Sequence, residues 1–276
     1  DGLASLGRLR DVSLNEVKYM KLSILSGAFS RFPLDKQFEL VSNIGFDGIE
    51  LCGIRPQSYP FDMGEAQIEK ILTLKEKYHL EIPMFGPELL KYPYNVSSSD
   101  EKERRDTVKY LQQSIDVAKG IGTKRVQVTC GHAGYDADLQ QSFCNIVSLL
   151  KEVCDYAQEK GVDLVLEPLT IMESNTIVML DSAVDLIKEV NSPNLKAMLD
   201  SAMVMTNWEP VDTYFEKLGP LLDYIHWGDS LGTAENHLHI GAGCMDPEGF
   251  FRAVHRRGYD GWVSIEMFSQ YIREPE

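Results

Sequence analysis

The run DLVLEP (163–168), followed in turn by LKAMLD (195–200), LDYIHW (222–227) and GWVSIEM (261–267), decides how this chain is read. Each is an apolar stretch of strand length, and each closes on an ionisable residue: Glu167, Asp200, His226 and Glu266. Working outward, four more runs of the same kind come earlier, KLSILS (21–26), GIELC (48–52), EIPMFG (81–86) and RVQVTC (125–130), which makes eight strand candidates. The stretches between them carry helical spacing instead. Val108, Leu111, Ile115 and Ala118 step by three and four, as do Phe143, Ile146, Val147, Leu150 and Cys154. Ser99 or Asp100 is placed to cap the first of these helices, and glycine at Lys160-Gly161 and Arg257-Gly258 marks helix ends ahead of the next strand.

Alternating strands and helices imply a parallel sheet, and eight units in about 250 residues match a (β/α)8 TIM barrel. A doubly wound open sheet is the alternative, but it usually opens with a Gly-rich phosphate turn, which SGAFSRFP (26–33) is not. The expected organisation is one barrel domain over 20–276, with an incomplete eighth helix because ten residues follow Glu266. Residues 1–19 are set apart as an N-terminal extension, since the first strand starts directly after Met20.

Composition narrows the partners. With 27 Lys and Arg against 42 Asp and Glu the chain carries −15, which repels phosphate backbones, so nucleic acid is not expected. No run reaches the roughly 18 apolar residues of a membrane span, and DGLASLGRLRDVSLNEVKY lacks the apolar stretch of a signal peptide. The five cysteines show no paired spacing, which predicts a reducing cytoplasm. A small-molecule substrate is expected, and self-association into a homo-oligomer is compatible with this composition.

Residues at the carboxyl ends of barrel strands converge on one mouth. The four strand-closing residues are separated by 33, 26 and 40 positions, scattered around the roughly 31 expected of one βα unit, so each advances one strand around the ring. Three carboxylates and one imidazole form a hard, oxygen-rich set suited to a divalent ion, Mn²⁺ foremost, with Mg²⁺ or Co²⁺ as alternatives. Taken singly, each residue reads equally well as a structural ion pair or cap. Taken together, three carboxylates crowded at one mouth without a cation would repel one another.

With these residues placed, the sequence resembles the sugar isomerase and epimerase superfamily of xylose-isomerase-like barrels, and within it the ketose 3-epimerases, including the branch acting on fructoselysine. The likeness is carried by GFDGIELCGIRP (45–56), GPELLKYPYN (86–95), GHAGY (131–135), LEPLTIMESN (166–175) and IEMFSQYIREP (265–275). It implies that Glu167, Asp200, His226 and Glu266 are the metal set and that Glu173 holds substrate hydroxyls near the ion. Epimerases of free ketohexoses place a His and an Arg where this chain has Met203 and Gly232. Arg55, Glu88 and His132, in loops after the second, third and fourth strands, and His237 in ENHLHIGAG are further substrate-binding candidates. For the neighbouring His239 a structural role is as good a reading. Glu50 reads as a partner of the ligands, and Trp227 and Tyr94 as packing walls.

The implied reaction inverts C3 of a ketose or ketose derivative through an enediolate. Inversion needs an acid/base group on each face of the substrate, and Glu167 and Glu266, three strands apart, suit that role. An aldose-ketose isomerase would use the same site in a different substrate register. A non-catalytic sugar-binding barrel would need no base on either face, and an abasic-site endonuclease would need more than six histidines and a basic groove.

Overall fold

The computed structural model describes residues 20–90, 93–234 and 236–267. Its eight strands, β1 (Lys21–Leu25), β2 (Gly48–Gly53), β3 (Phe85–Pro87), β4 (Arg125–Thr129), β5 (Asp163–Glu167), β6 (Leu195–Asp200), β7 (Leu222–Trp227) and β8 (Trp262–Ile265), close in sequence order into a barrel. All pairings are parallel, and β8 joins β1 through Lys21↔Trp262 to Ile24↔Ile265. The sequence is therefore a TIM barrel, with 1–19 and the expected incomplete eighth helix outside the described residues.

Around it run α1 (Leu34–Ile44), α2 (Glu65–Tyr78), α3 (Glu101–Ile121), α4 (Leu139–Lys160), α5 (Met179–Val190), α6 (Ser201–Thr206), α7 (Val211–Leu218) and α8 (Pro247–Arg256). Asp100 caps α3 by accepting from the Glu103 amide, as its position suggested, and α4 ends on the left-handed Gly161 (φ 72°). The predicted apolar positions of α3 and α4 face the core: Val108, Leu111, Ile115, Ala118, Ile146, Leu150 and Cys154 are buried, with Phe143 and Val147 packed against them. None of the described helices is long and apolar enough to cross a membrane.

One strand is displaced from its expected span. The sequence predicts a strand over EIPMFG (81–86), but β3 is Phe85–Pro87, and Glu81 makes only an isolated bridge to Gly48. Pro83 explains the gap, because it has no N–H to give to a ladder.

Inside the barrel, Met84, Val165, Met198, Tyr224 and Trp262 form a small apolar cluster separate from the main core between strands and helices. Side chains alternate along a strand, so the inward residue after Val165 is Glu167, after Met198 Asp200, and after Tyr224 His226. Trp262 is followed by Ser264 and then Glu266 in the same way. An apolar plug thus supports the polar residues above it.

Candidate metal centre

Glu167, Asp200, His226 and Glu266 meet at the mouth end of β5 to β8. Each offers one ligand atom, and these atoms all lie within 4.8 Å of one another. That is the spread one ion can bridge when each metal–oxygen bond is about 2.1 to 2.4 Å. All four are buried, at 5%, 1%, 0% and 6% exposure, so solvent does little to screen their charges. Register contributes directly: Asp200 is paired with His226 across β6 and β7, and the Glu266 amide donates to the Trp227 carbonyl (3.0 Å).

The residues present fit a divalent cation. His226 Nδ1 and Glu266 Oε2 are buried and make no hydrogen bond, yet stand 2.6 Å apart. Once the proton on Nδ1 is removed these are two facing acceptors with no donor between them, an arrangement that a cation taking the proton's place satisfies. His226 Nδ1 also lies 3.5 Å from Glu167 Oε1 and 3.8 Å from Asp200 Oδ2.

Four further side chains orient the cluster residues or back them. Glu50, fully buried on β2, places both carboxylate oxygens 3.0 Å from His226 Nε2, which leaves Nδ1 turned to the cluster. Tyr224 Oη donates to Glu50 Oε2 (3.0 Å) and lies 3.2 Å from Ser23 Oγ. Gln127 on β4 donates from Nε2 to Glu167 Oε2 (2.6 Å). His237 Nε2 lies 3.0 Å from Asp200 Oδ2 and 3.5 Å from Glu266 Oε2. The other oxygen of Asp200 accepts the amides of Ala202 (2.6 Å) and Met203 (3.2 Å), so Asp200 is also the N-cap of α6.

Electrostatics follow from this crowding. Burial, reinforced by the charges of Glu266 and Asp200 against the pull of His226, pushes the Glu167 carboxyl up to about 7. Burial also works to raise Asp200, but His237 and His226 beside it outweigh burial and hold its carboxyl below the usual range. For His226 burial acts to remove the proton, and the surrounding Glu50, Glu266 and Glu167 overcome it, holding the imidazole well above its ordinary value.

The remaining candidates stand on mouth-side loops outside the four-ligand cluster. Arg55 forms a two-point pair with Asp62 (2.6 and 3.0 Å) and lies over the Tyr59 ring at 4.3 Å. The Glu88 carboxylate accepts the Leu90 amide (2.8 Å), and His132 Nδ1 accepts that of Gly134 (2.9 Å). Glu173 lies in the turn after β5, its amide donating to Thr170 O (3.1 Å). His239 is exposed, with Nδ1 3.3 Å from Ile240 O. Trp227 is buried against Phe250 and Phe251, and Tyr94 stacks on Tyr110 at 4.1 Å, as packing surfaces do. Gln127 escaped sequence reading, although a polar residue at an inward position of RVQVT was a signal for it.

A family model described as a xylose isomerase-like TIM barrel matches residues 38–276. The fructoselysine 3-epimerase of Shigella flexneri is 34% identical over 256 residues, covering 93% of each chain. The L-ribulose 3-epimerase of Methylomonas sp. is 25% identical over 259 residues, covering 92% of this chain and 85% of its own. Among solved structures, apo 3-keto-D-glucoside 4-epimerase from E. coli superposes with a TM-score of 0.79 at 18% identity, over 93% of this chain and 94% of its own, a likeness of fold.

Proposed function

The chain belongs to the xylose isomerase-like TIM barrel family, and from that premise we propose that it is a divalent-metal-dependent epimerase inverting C3 of a ketose derivative. The observation that carries this reading is the buried meeting of two glutamates, Glu167 from β5 and Glu266 after β8, around a site that also holds Asp200 and His226.

When bound, a divalent ion, Mn²⁺ in this proposal, supplies positive charge that polarises the substrate ketone and stabilises the enediolate oxygens. Asp200 and His226 hold that charge in place, with His226 Nδ1 aimed inward because Glu50 engages Nε2. Glu167 and Glu266 serve as the acid/base pair: one carboxylate removes the C3 proton and the other returns a proton to the opposite face. Burial of both excludes bulk water and so strengthens their action on the substrate. Glu173, Arg55, Glu88 and His132 bind the substrate's outer hydroxyls or appendage in this reading.

A fructosamine, a ketose carrying an amine substituent, is the favoured substrate over a free ketohexose. Support comes from the fructoselysine 3-epimerase relative and from Met203, a buried apolar residue that offers no hydrogen bond to a sugar hydroxyl. The cytoplasm is the proposed location, since no disulfide forms among the described residues.

Turnover of fructosamines and ketoses in D₂O tests the reaction. The proposal expects deuterium at C3 of an inverted product. Label confined to C1 or C2 with C3 unchanged would refute it in favour of aldose-ketose isomerisation.

A further inference from the structure

His237 sits at the ligand cluster without belonging to a strand or helix, so something must hold it there. It lies in the chain between β7 and α8, where a buried carboxylate, Asp229, serves none of the roles assigned so far. Asp229 Oδ1 accepts the amides of Ser230 (2.9 Å) and Met245 (3.0 Å), and Oδ2 those of Gly241 and Gly243 (2.9 Å each). Its backbone is tied as well: Leu238 N donates to Asp229 O (2.8 Å) and Asp229 N to Leu238 O (3.2 Å). Leu238 is the residue after His237. The stretch 238–245, which directly follows His237, is therefore folded back on Asp229.

The sequence is matched to this cradle. A Cβ on Gly243 would stand 2.3 Å from Asp229 Oδ1 and 2.5 Å from Ser230 O, so only glycine lets the backbone approach. Gly241 has φ 86°, the left-handed turn that returns the chain to the carboxylate. The GAG run of HLHIGAG, left unexplained by the sequence, is accounted for by these two contacts.

We infer that Asp229 is a positioning residue, closing the 238–245 stretch so that His237 Nε2 is seated on Asp200 Oδ2. The inference rests on the metal reading of Asp200 for its functional consequence, but the seating of His237 does not depend on it. Asp200 Oδ1 is committed to the amides of α6, and His237 fixes the approach of Oδ2, so both oxygens of this ligand are oriented before an ion arrives.

The test uses the whole chain with Asp229→Asn, His237→Asn and the double variant. An asparagine turns an NH₂ toward two of the four backbone donors, so D229N opens half of the cradle while preserving shape. D229A removes it entirely; should D229A fail to fold, D229N decides. Amide exchange should quicken in D229N at the pair that the new NH₂ faces, Gly241 and Gly243 or Ser230 and Met245. Mn²⁺ affinity, read from the free-ion EPR signal, should fall about 10- to 100-fold in D229N and in H237N alike. In the double variant the loss should not exceed that of the larger single by more than about twofold, since both act through one contact.

Multiplying losses would overturn the inference, as would faster exchange in D229N with unchanged Mn²⁺ affinity. If the parent protein takes up no Mn²⁺, the metal reading fails by itself, and the His237 imidazole nitrogen resonances decide the positioning claim. A shift of those resonances in D229N supports the seating of His237, and identical resonances overturn it.

Discussion

Replacing Glu50 by Gln isolates what a carboxylate does behind His226, a proposed metal ligand. Glu50 receives two donors in a fully buried position, His226 Nε2–H and Tyr224 Oη–H, both at 3.0 Å. A glutamine with its oxygen in the Oε1 place accepts from His226 alone and turns its NH₂ toward Tyr224. The Tyr224 hydroxyl can reverse, taking a hydrogen bond from the new NH₂ and donating to Ser23 Oγ, 3.2 Å away. His226 then keeps its acceptor but loses the charge on it. A hydrogen bond to a charged group contributes about 1.5–3 kcal/mol and a neutral one about 0.5–1.5, so the loss at His226 is about 1–1.5 kcal/mol. That corresponds to roughly a tenfold weaker hold on the ion, at about 1.4 kcal/mol per decade.

Glu50→Ala behaves differently, because it strands two buried donors at about 1–3 kcal/mol each and opens a cavity besides. The total, about 2–6 kcal/mol, is a large share of the 5–15 kcal/mol typical of a domain. Calorimetric titration with Mn²⁺ and urea melts of both variants separate these effects. Glu50→Gln should bind about tenfold more weakly with a nearly unchanged melt, and Glu50→Ala should melt early. Parental Mn²⁺ affinity in Glu50→Gln would show that the charge on Glu50 does not tune His226, and the reasoning would be wrong.

Asp200→Asn should chiefly weaken metal binding, with part of the activity recovered in excess Mn²⁺, whereas Glu266→Gln should stay inactive at any metal concentration; equal rescue of both would make Glu266 a ligand only. The metal-free site keeps protons that an ion must displace, since Glu167 is raised to about 7 and His226 is raised as well. Mn²⁺ affinity should therefore climb as pH rises toward and past 7, and the gain in Tm from saturating Mn²⁺ should be larger at pH 8 than at pH 5.5; a gain independent of pH would contradict this. For the metal-free protein the sign is opposite: Glu167 binds its proton more tightly folded than unfolded, so stability falls as pH rises from about 4.5 to 7 through this group. Gly86→Ala places a Cβ 2.6 Å from Gln127 Oε1, a side-chain end that can swing away; the expected result is a melt within about 1 kcal/mol of the parent but weaker Mn²⁺ binding, because Gln127 leaves Glu167.

The meeting of Glu167, Asp200, His226 and Glu266 was legible because each ends an apolar strand, and a barrel sends every such position to one mouth. The strand count was legible for the same reason, alternation being a local property. What lay beyond reach depends on contacts between distant segments. Gln127 finds Glu167 only once β4 and β5 pair, with Gln127 opposite Val165 and Thr129 opposite Glu167. Asp229 gathers amides from up to sixteen residues away, and nothing periodic announces a loop of that kind. His237 stands after β7 as a candidate substrate contact, and the structure sets its ring against Asp200, a cluster residue that the sequence places on another strand.

Asp200 divides its carboxylate between two tasks, one oxygen for the first turn of α6 and the other for the ligand cluster. Selection for the cap alone would be content with Asn, Ser or Thr at this position, since all four accept from helix amides. The proposed ion adds a demand for a negative charge. In a lineage that abandoned catalysis while keeping the barrel, position 200 would drift among the neutral caps and the helix would survive. On the proposed metal reading, descendants of this fold could therefore be sorted at one column of sequence: an aspartate there is what a working mouth requires, and an asparagine or serine is what a barrel that has kept only its architecture can accept.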